Sequence, residues 1–112
     1  MSARGQVLLW VAQRASAAVL ALCVAVHLVT MIYAVRHGLS AAEILGRTRG
    51  NYGWLAFYAT FVGAVAIHAP IGLRTILAET FNRRGVAPDV MVFVIGVALA
   101  LWGWRAVLAV FG

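Results

Sequence analysis

Three apolar runs, each long enough to cross a bilayer, dominate this 112-residue chain. They cover about Val7 to Val35, Gly53 to Glu79 and Val90 to Phe111. A spanning helix needs about 20 mostly apolar residues. In hydrocarbon the backbone must satisfy its own hydrogen bonds, so runs of this kind form helices. The connections, Arg36 to Tyr52 and Thr80 to Asp89, leave no room for a soluble domain. The expected architecture is all-α: a single integral membrane domain, residues 1–112, with three transmembrane helices. Composition argues against a soluble fold. The chain is 64% hydrophobic and 11% charged, and a small soluble domain cannot bury that much apolar area.

The charges mark the span ends. All nine basic residues are arginines, and the formal net charge is +6. A basic balance can signal nucleic acid. Here the arginines stand singly or in pairs beside apolar runs, so they read as topology markers and no nucleic-acid partner is expected. Three spans place the termini on opposite sides. Arg4, Arg14, Arg74, Arg83 and Arg84 fall on the N-terminal side; Arg36, Arg47, Arg49 and Arg105 fall on the other. The slight excess favours a cytoplasmic N-terminus. Ser40 with Glu43 three residues later has the pattern of a capping box, so Ser40 to Leu45 is expected to form a short interfacial helix. The lone Cys23 has no partner for a disulfide or a metal motif and reads as a packing residue.

Ionisable groups at membrane depth are costly and ask for a reason. The candidates inside the spans are Arg14, His27, His68, Arg74 and Glu79, while Arg105 and His37 lie close enough to span ends to snorkel or sit in a loop. On the first helix Gln13, Ser16, Cys23, His27 and Thr30 share one stripe, which should face into a bundle. On the second, Phe57, Phe61, Ala64, His68, Gly72, Thr75 and Glu79 lie along one line. Gly72, one turn after His68, leaves room for a flat group beside the imidazole. Pro70 removes a backbone donor near His68 and predicts a bend there. Arg74 points away from the His68 line, toward the interface or an adjacent subunit. Antiparallel travel predicts that Arg14 and Ser16 share a level with Arg74 and Glu79. By the helical rise His68 lies about 9 Å deeper than Arg74, and the two histidines differ in depth by about 10 Å. Gly96 and Gly103 share a face of the third helix and should permit close packing.

Neutral imidazole is a good axial ligand for haem iron. A haem between helices also needs a small residue for clearance and cations for its propionates. His68, Gly72 and nearby arginines such as Arg74 meet that description. The alternative is a non-redox three-helix scaffold or interaction protein, whose histidines only make hydrogen bonds across the bundle.

The segment from His68 through Gly72 and Arg74 to Glu79 resembles the second-helix motif of the cytochrome b membrane anchor of succinate dehydrogenase and fumarate reductase. That motif has a His, a Gly four residues on, an Arg two further, and an acid eleven positions after the His. Gln13-Arg14-Ala15-Ser16-Ala17 resembles the family's His-Arg-x-Ser-Gly at the start of the first helix, with Arg14 and Ser16 matching. Gln13 and Ala17 depart from it, and Glu79 replaces the more frequent Asp.

The resemblance implies a membrane anchor for a flavoprotein subunit and an iron–sulfur subunit, with a second anchor chain completing a larger helix bundle. Electrons would pass between succinate or fumarate and a quinone, in a bacterial or mitochondrial inner membrane. His68 would be an axial ligand of haem b, the other ligand coming from a partner. Arg14 and Ser16 would lie near the quinone, and Glu79 could relay protons. His27 is a second candidate ligand, for a total of one haem or of two shared with the partner chain. No flavin or cluster motif occurs here, so the chain carries no catalytic residue of its own.

Overall fold

A computed structural model describes residues 2–112. It contains four helices: α1 (Ala3–Arg36), α2 (Ala41–Thr48), α3 (Tyr52–Glu79) and α4 (Val86–Phe111). Of these, α1, α3 and α4 are long and apolar enough to cross a membrane. The helices outrun the apolar segments because caps, not hydropathy, fix their ends. Ser2 Oγ accepts the Gly5 N–H at 3.1 Å, which starts α1 four residues before Val7. Gly85, at φ 111°, turns the chain into α4, which likewise begins four residues early, at Val86. Asp89 then sits in the first turn of α4, where the helix dipole favours an anion.

The expected interfacial helix is α2. Ser40 Oγ accepts the Glu43 N–H at 3.2 Å, and Glu43 Oε1 accepts the Ser40 N–H at 3.2 Å. This helix is clasped to the end of α4. The Thr48 hydroxyl donates to the Val110 carbonyl at 2.7 Å, and the Gly50 N–H donates to the Phe111 carbonyl at 2.9 Å. Two of the carbonyls that a helix C-terminus leaves unpaired are thereby satisfied. The clasp puts the C-terminus on the same side as Arg36, Arg47 and Arg49.

α3 packs against both α1 and α4, while α1 and α4 make at most marginal contact with each other. Glycine sets the α3–α4 approach. A Cβ on Gly103 would lie 2.6 Å from Val62 Cγ1, and one on Gly96 would lie 2.7 Å from Pro70 Cγ. The helix assignment runs unbroken through Pro70. Proline leaves the Ala66 carbonyl without its helical donor. That oxygen faces Gly96, 3.4 Å from where a Cβ would stand.

Gly103→Leu is expected to destabilise the α3–α4 pair by about 1–3 kcal/mol through overpacking. Gly63 has open space around it, so Gly63→Ala serves as the control and should not weaken packing. Detergent unfolding of the two variants checks this difference.

α1 and α3 run antiparallel, with Gln13 opposite Gly72, Ser16 opposite His68 and His27 opposite Tyr58. This register corrects two expected depths. Ten residues of α3 separate Tyr58 from His68, so the histidines differ in depth by about 15 Å, not 10 Å. Ser16 lies level with His68 rather than with Arg74 and Glu79. Few side chains are buried: Cys23, Ala64, Val92 and Val107 among the apolar ones, Ser16 and Thr48 among the polar ones. Large apolar faces on α1 and α4 stay open, such as Leu22 and Phe93. Faces like these suit lipid or neighbouring helices.

Candidate functional site

His68 lies on α3 facing α1, with its imidazole half-buried. Ser16 Oγ stands 3.5 Å from His68 Nδ1 and itself donates to the Gln13 carbonyl at 3.1 Å. A hydroxyl whose hydrogen is spent in this way offers the imidazole a lone pair. In the tautomer that donates to this oxygen, His68 carries its proton on Nδ1 and leaves Nε2 unprotonated. Among the described residues, no hydrogen bond is made to that Nε2. Helix periodicity expected the Ser16 stripe to face inward, and the burial of Ser16 and Cys23 agrees.

One turn toward the N-terminal side, Gly72 has a different neighbour from the one expected. The Gln13 amide nitrogen lies 3.1 Å from where a Cβ on Gly72 would stand. The space beside Gly72 is thus taken by Gln13. Gln13 Oε1 is buried and has no hydrogen-bond partner among the described residues.

Beyond Gln13 a cleft of about 570 Å³ opens between α1 and α3. Trp10, Gln13, Arg14, Arg74, Thr75 and Glu79 line it. Residues from the two helices therefore converge on the N-terminal side, as the sequence motifs anticipate, but Ser16 is behind this cleft, not on its wall. Arg14 is exposed, with its guanidinium carbon 5.3 Å from the Trp10 ring centroid. It has no carboxylate partner among the described residues. Glu79 is exposed and has no cationic partner among the described residues.

Arg74 departs from its expected place. Its Nε donates to Asp89 Oδ1 at 2.9 Å, an ion pair between α3 and α4. The face turned away from the His68 line is the face that packs on α4, so an interhelical partner takes the place of the interface or an adjacent subunit. Asp89 escapes sequence reasoning because its angular position depends on how α4 crosses α3. The one available signal is that it is the only acid after Glu79. The pair uses Nε, so both terminal guanidinium nitrogens remain free to face the cleft.

About 15 Å further along α3 is a second polar pair. His27 Nδ1 stands 3.4 Å from the Tyr58 hydroxyl. Its ring meets Tyr58 and Phe61 edge-on, at centroid distances of 5.9 and 5.8 Å. The sequence reading did not single out Tyr58. Among the described residues no three His, Cys, Asp or Glu side chains converge.

The family model described as succinate dehydrogenase/fumarate reductase transmembrane subunit matches residues 1–104. The chain belongs to that family. It is a multi-pass membrane subunit of a succinate dehydrogenase or fumarate reductase complex, and it works with partner subunits. No curated protein and no solved structure matches the chain.

Proposed function

We propose that this anchor binds haem b through His68 Nε2 and forms part of a quinone site at the cleft lined by Arg14, Arg74 and Glu79. The observation that carries the haem assignment is the Ser16–His68 contact. Metal-bound histidines hold their second nitrogen on a hydrogen-bond acceptor, which fixes the tautomer and turns the other nitrogen to the metal. Haem bound there supplies a one-electron store between the iron–sulfur subunit and the quinone. The free ends of Arg74 are suited to its propionates. A partner anchor chain would supply the other histidine ligand.

The cleft fits quinone chemistry on two grounds. Arg14 holds unspent donors for a quinone carbonyl. Glu79 is an exposed carboxylate able to pass protons from the surface. Reduction of a quinone takes two electrons from the cluster side and two protons, and Glu79 stands where those protons enter. Flavin chemistry on succinate or fumarate belongs to the partner flavoprotein. Iron–sulfur and flavoprotein subunits should dock on the side carrying Arg14, Arg83 and Arg84. That side would be cytoplasmic, or the matrix side in a mitochondrion.

His27 is the second candidate ligand, since its Nε2 also makes no hydrogen bond among the described residues. Haem counting decides its role: loss of one haem in His27→Leu means ligation, and an unchanged count means a structural pair with Tyr58. The proposal as a whole is tested by purifying the complex on a tagged copy of this chain. Flavin, iron–sulfur clusters and haem should co-purify. Flavin and iron–sulfur clusters without haem would overturn the haem assignment.

Asp89 gives a further expected result. The pair is partly exposed, at 36% and 49% for the two side chains, so Asp89→Asn should cost only about 0.2–1 kcal/mol. It also removes one negative charge near Arg74. The haem midpoint potential should therefore rise, because added positive potential favours the reduced form. Redox titration of the variant complex reads this directly.

A further inference from the structure

A second cleft, at the end of the molecule opposite Arg14, is used by neither the haem nor the quinone. Residues of α1, α2 and α3 line it, on the far side of His27 from Arg14. Its volume is about 530 Å³. Apolar side chains of Val29, Met31, Leu39 and Ile44 form much of its wall, and Arg47 stands at the α2 end. We propose that this groove holds one anionic phospholipid, with the phosphate on Arg47 and an acyl chain lying along the apolar wall.

Three observations carry this. First, Arg47 is the one charged side chain lining the groove, and its guanidinium makes no hydrogen bond among the described residues. The Thr48 hydroxyl is committed to Val110, and the Asn51 amide donates to the Arg47 carbonyl at 3.3 Å. The Arg47 guanidinium carbon rests 5.5 Å from the Tyr33 ring centroid and has no carboxylate partner among the described residues. Second, this end of the molecule is strongly basic. Arg36, Arg47, Arg49 and Arg105 face one acid, Glu43, whose carboxylate is already engaged by Ser40 at 3.0 Å and 3.2 Å. Arginine binds phosphate oxygens through charge-assisted hydrogen bonds, so an unpaired arginine beside an apolar groove suits an anionic headgroup. Third, the groove follows α3 from Asn51 to Tyr58, about 10 Å by the helical rise, with apolar Val29, Met31, Leu39 and Ile44 on its wall and the Arg47 cation among its lining. An apolar trough with a cation on its wall matches the division of a phospholipid into acyl chain and phosphate.

The test uses the complete detergent-purified complex and native mass spectrometry after lipid exchange. The probes are phosphatidylglycerol, phosphatidylcholine and inorganic phosphate. Two variants isolate this groove: Arg47→Gln removes the charge, and Ala34→Trp fills the apolar part. The expected result is one bound phosphatidylglycerol fewer in Ala34→Trp, and about fivefold weaker binding of that molecule in Arg47→Gln. Phosphatidylcholine should bind this site less well than phosphatidylglycerol, and phosphate alone should leave no adduct. An unchanged phosphatidylglycerol count in both variants overturns the proposal. So does equal retention of the two lipids, or binding of free phosphate without lipid.

Discussion

Arg14→Gln in the assembled complex should lower quinone turnover by about 100-fold while sparing succinate oxidation with a soluble electron acceptor. Arg14 is the one cation of the cleft with no acidic partner among the described residues, and it rests against Trp10. Removing a fixed donor from the place where charge develops commonly costs about 100–1000-fold. The lower end applies here, since Arg74 shares the cleft. The soluble-acceptor reaction bypasses this chain, so it reports whether the complex is intact. Equal loss of both activities would mean that Arg14 supports assembly, not quinone chemistry. Lysine in place of Arg14 keeps the charge but not the forked donors, and an intermediate rate is expected.

His68→Leu should remove the haem that this residue holds. Leucine fills similar space but offers no lone pair to iron. Its neighbour Ser16 keeps its bond to the Gln13 carbonyl, so the helix pair loses one weak contact of 3.5 Å and little more. The expected outcome is an assembled complex with at least one haem fewer. Ser16→Ala makes a companion. It leaves the ligand in place but frees Nδ1, and second-shell losses typically weaken metal binding by about 10–100-fold. Haem should then be retained less well during purification, with an altered midpoint potential. A normal haem content and potential in Ser16→Ala would remove the positioning role given to this hydroxyl.

Much of this arrangement can be read from spacing. The stripe of Gln13, Ser16 and His27 faces α3 because a helix of fixed period leaves it no other polar-lined side. Ser40 and Glu43 announce α2 because a capping box is a local device. Gly96 and Gly103 lie on the face that meets α3 for the same periodic reason. What spacing does not supply is the relation between helices. The vertical register of α1 on α3 comes from the fit of Gln13 into the Gly72 gap, which no single-helix pattern encodes. That is why the two histidines stand further apart in depth than the helical rise alone suggests, and why Ser16 meets His68 rather than the cleft. The Arg74–Asp89 pair depends on the α3–α4 crossing in the same way. Helix ends were also misplaced at Ala3 and Val86, because Ser2 and Gly85 act on the backbone and hydropathy does not register them.

The central claim is that this membrane subunit carries haem on His68. The most direct measurement is a reduced-minus-oxidised spectrum of the wild-type complex in its native membrane, with the His68→Leu complex beside it. A b-type band in the wild type that shrinks or disappears in the variant is the predicted result. No b-type band in the wild type, or a band of undiminished size in an assembled His68→Leu complex, would contradict the claim.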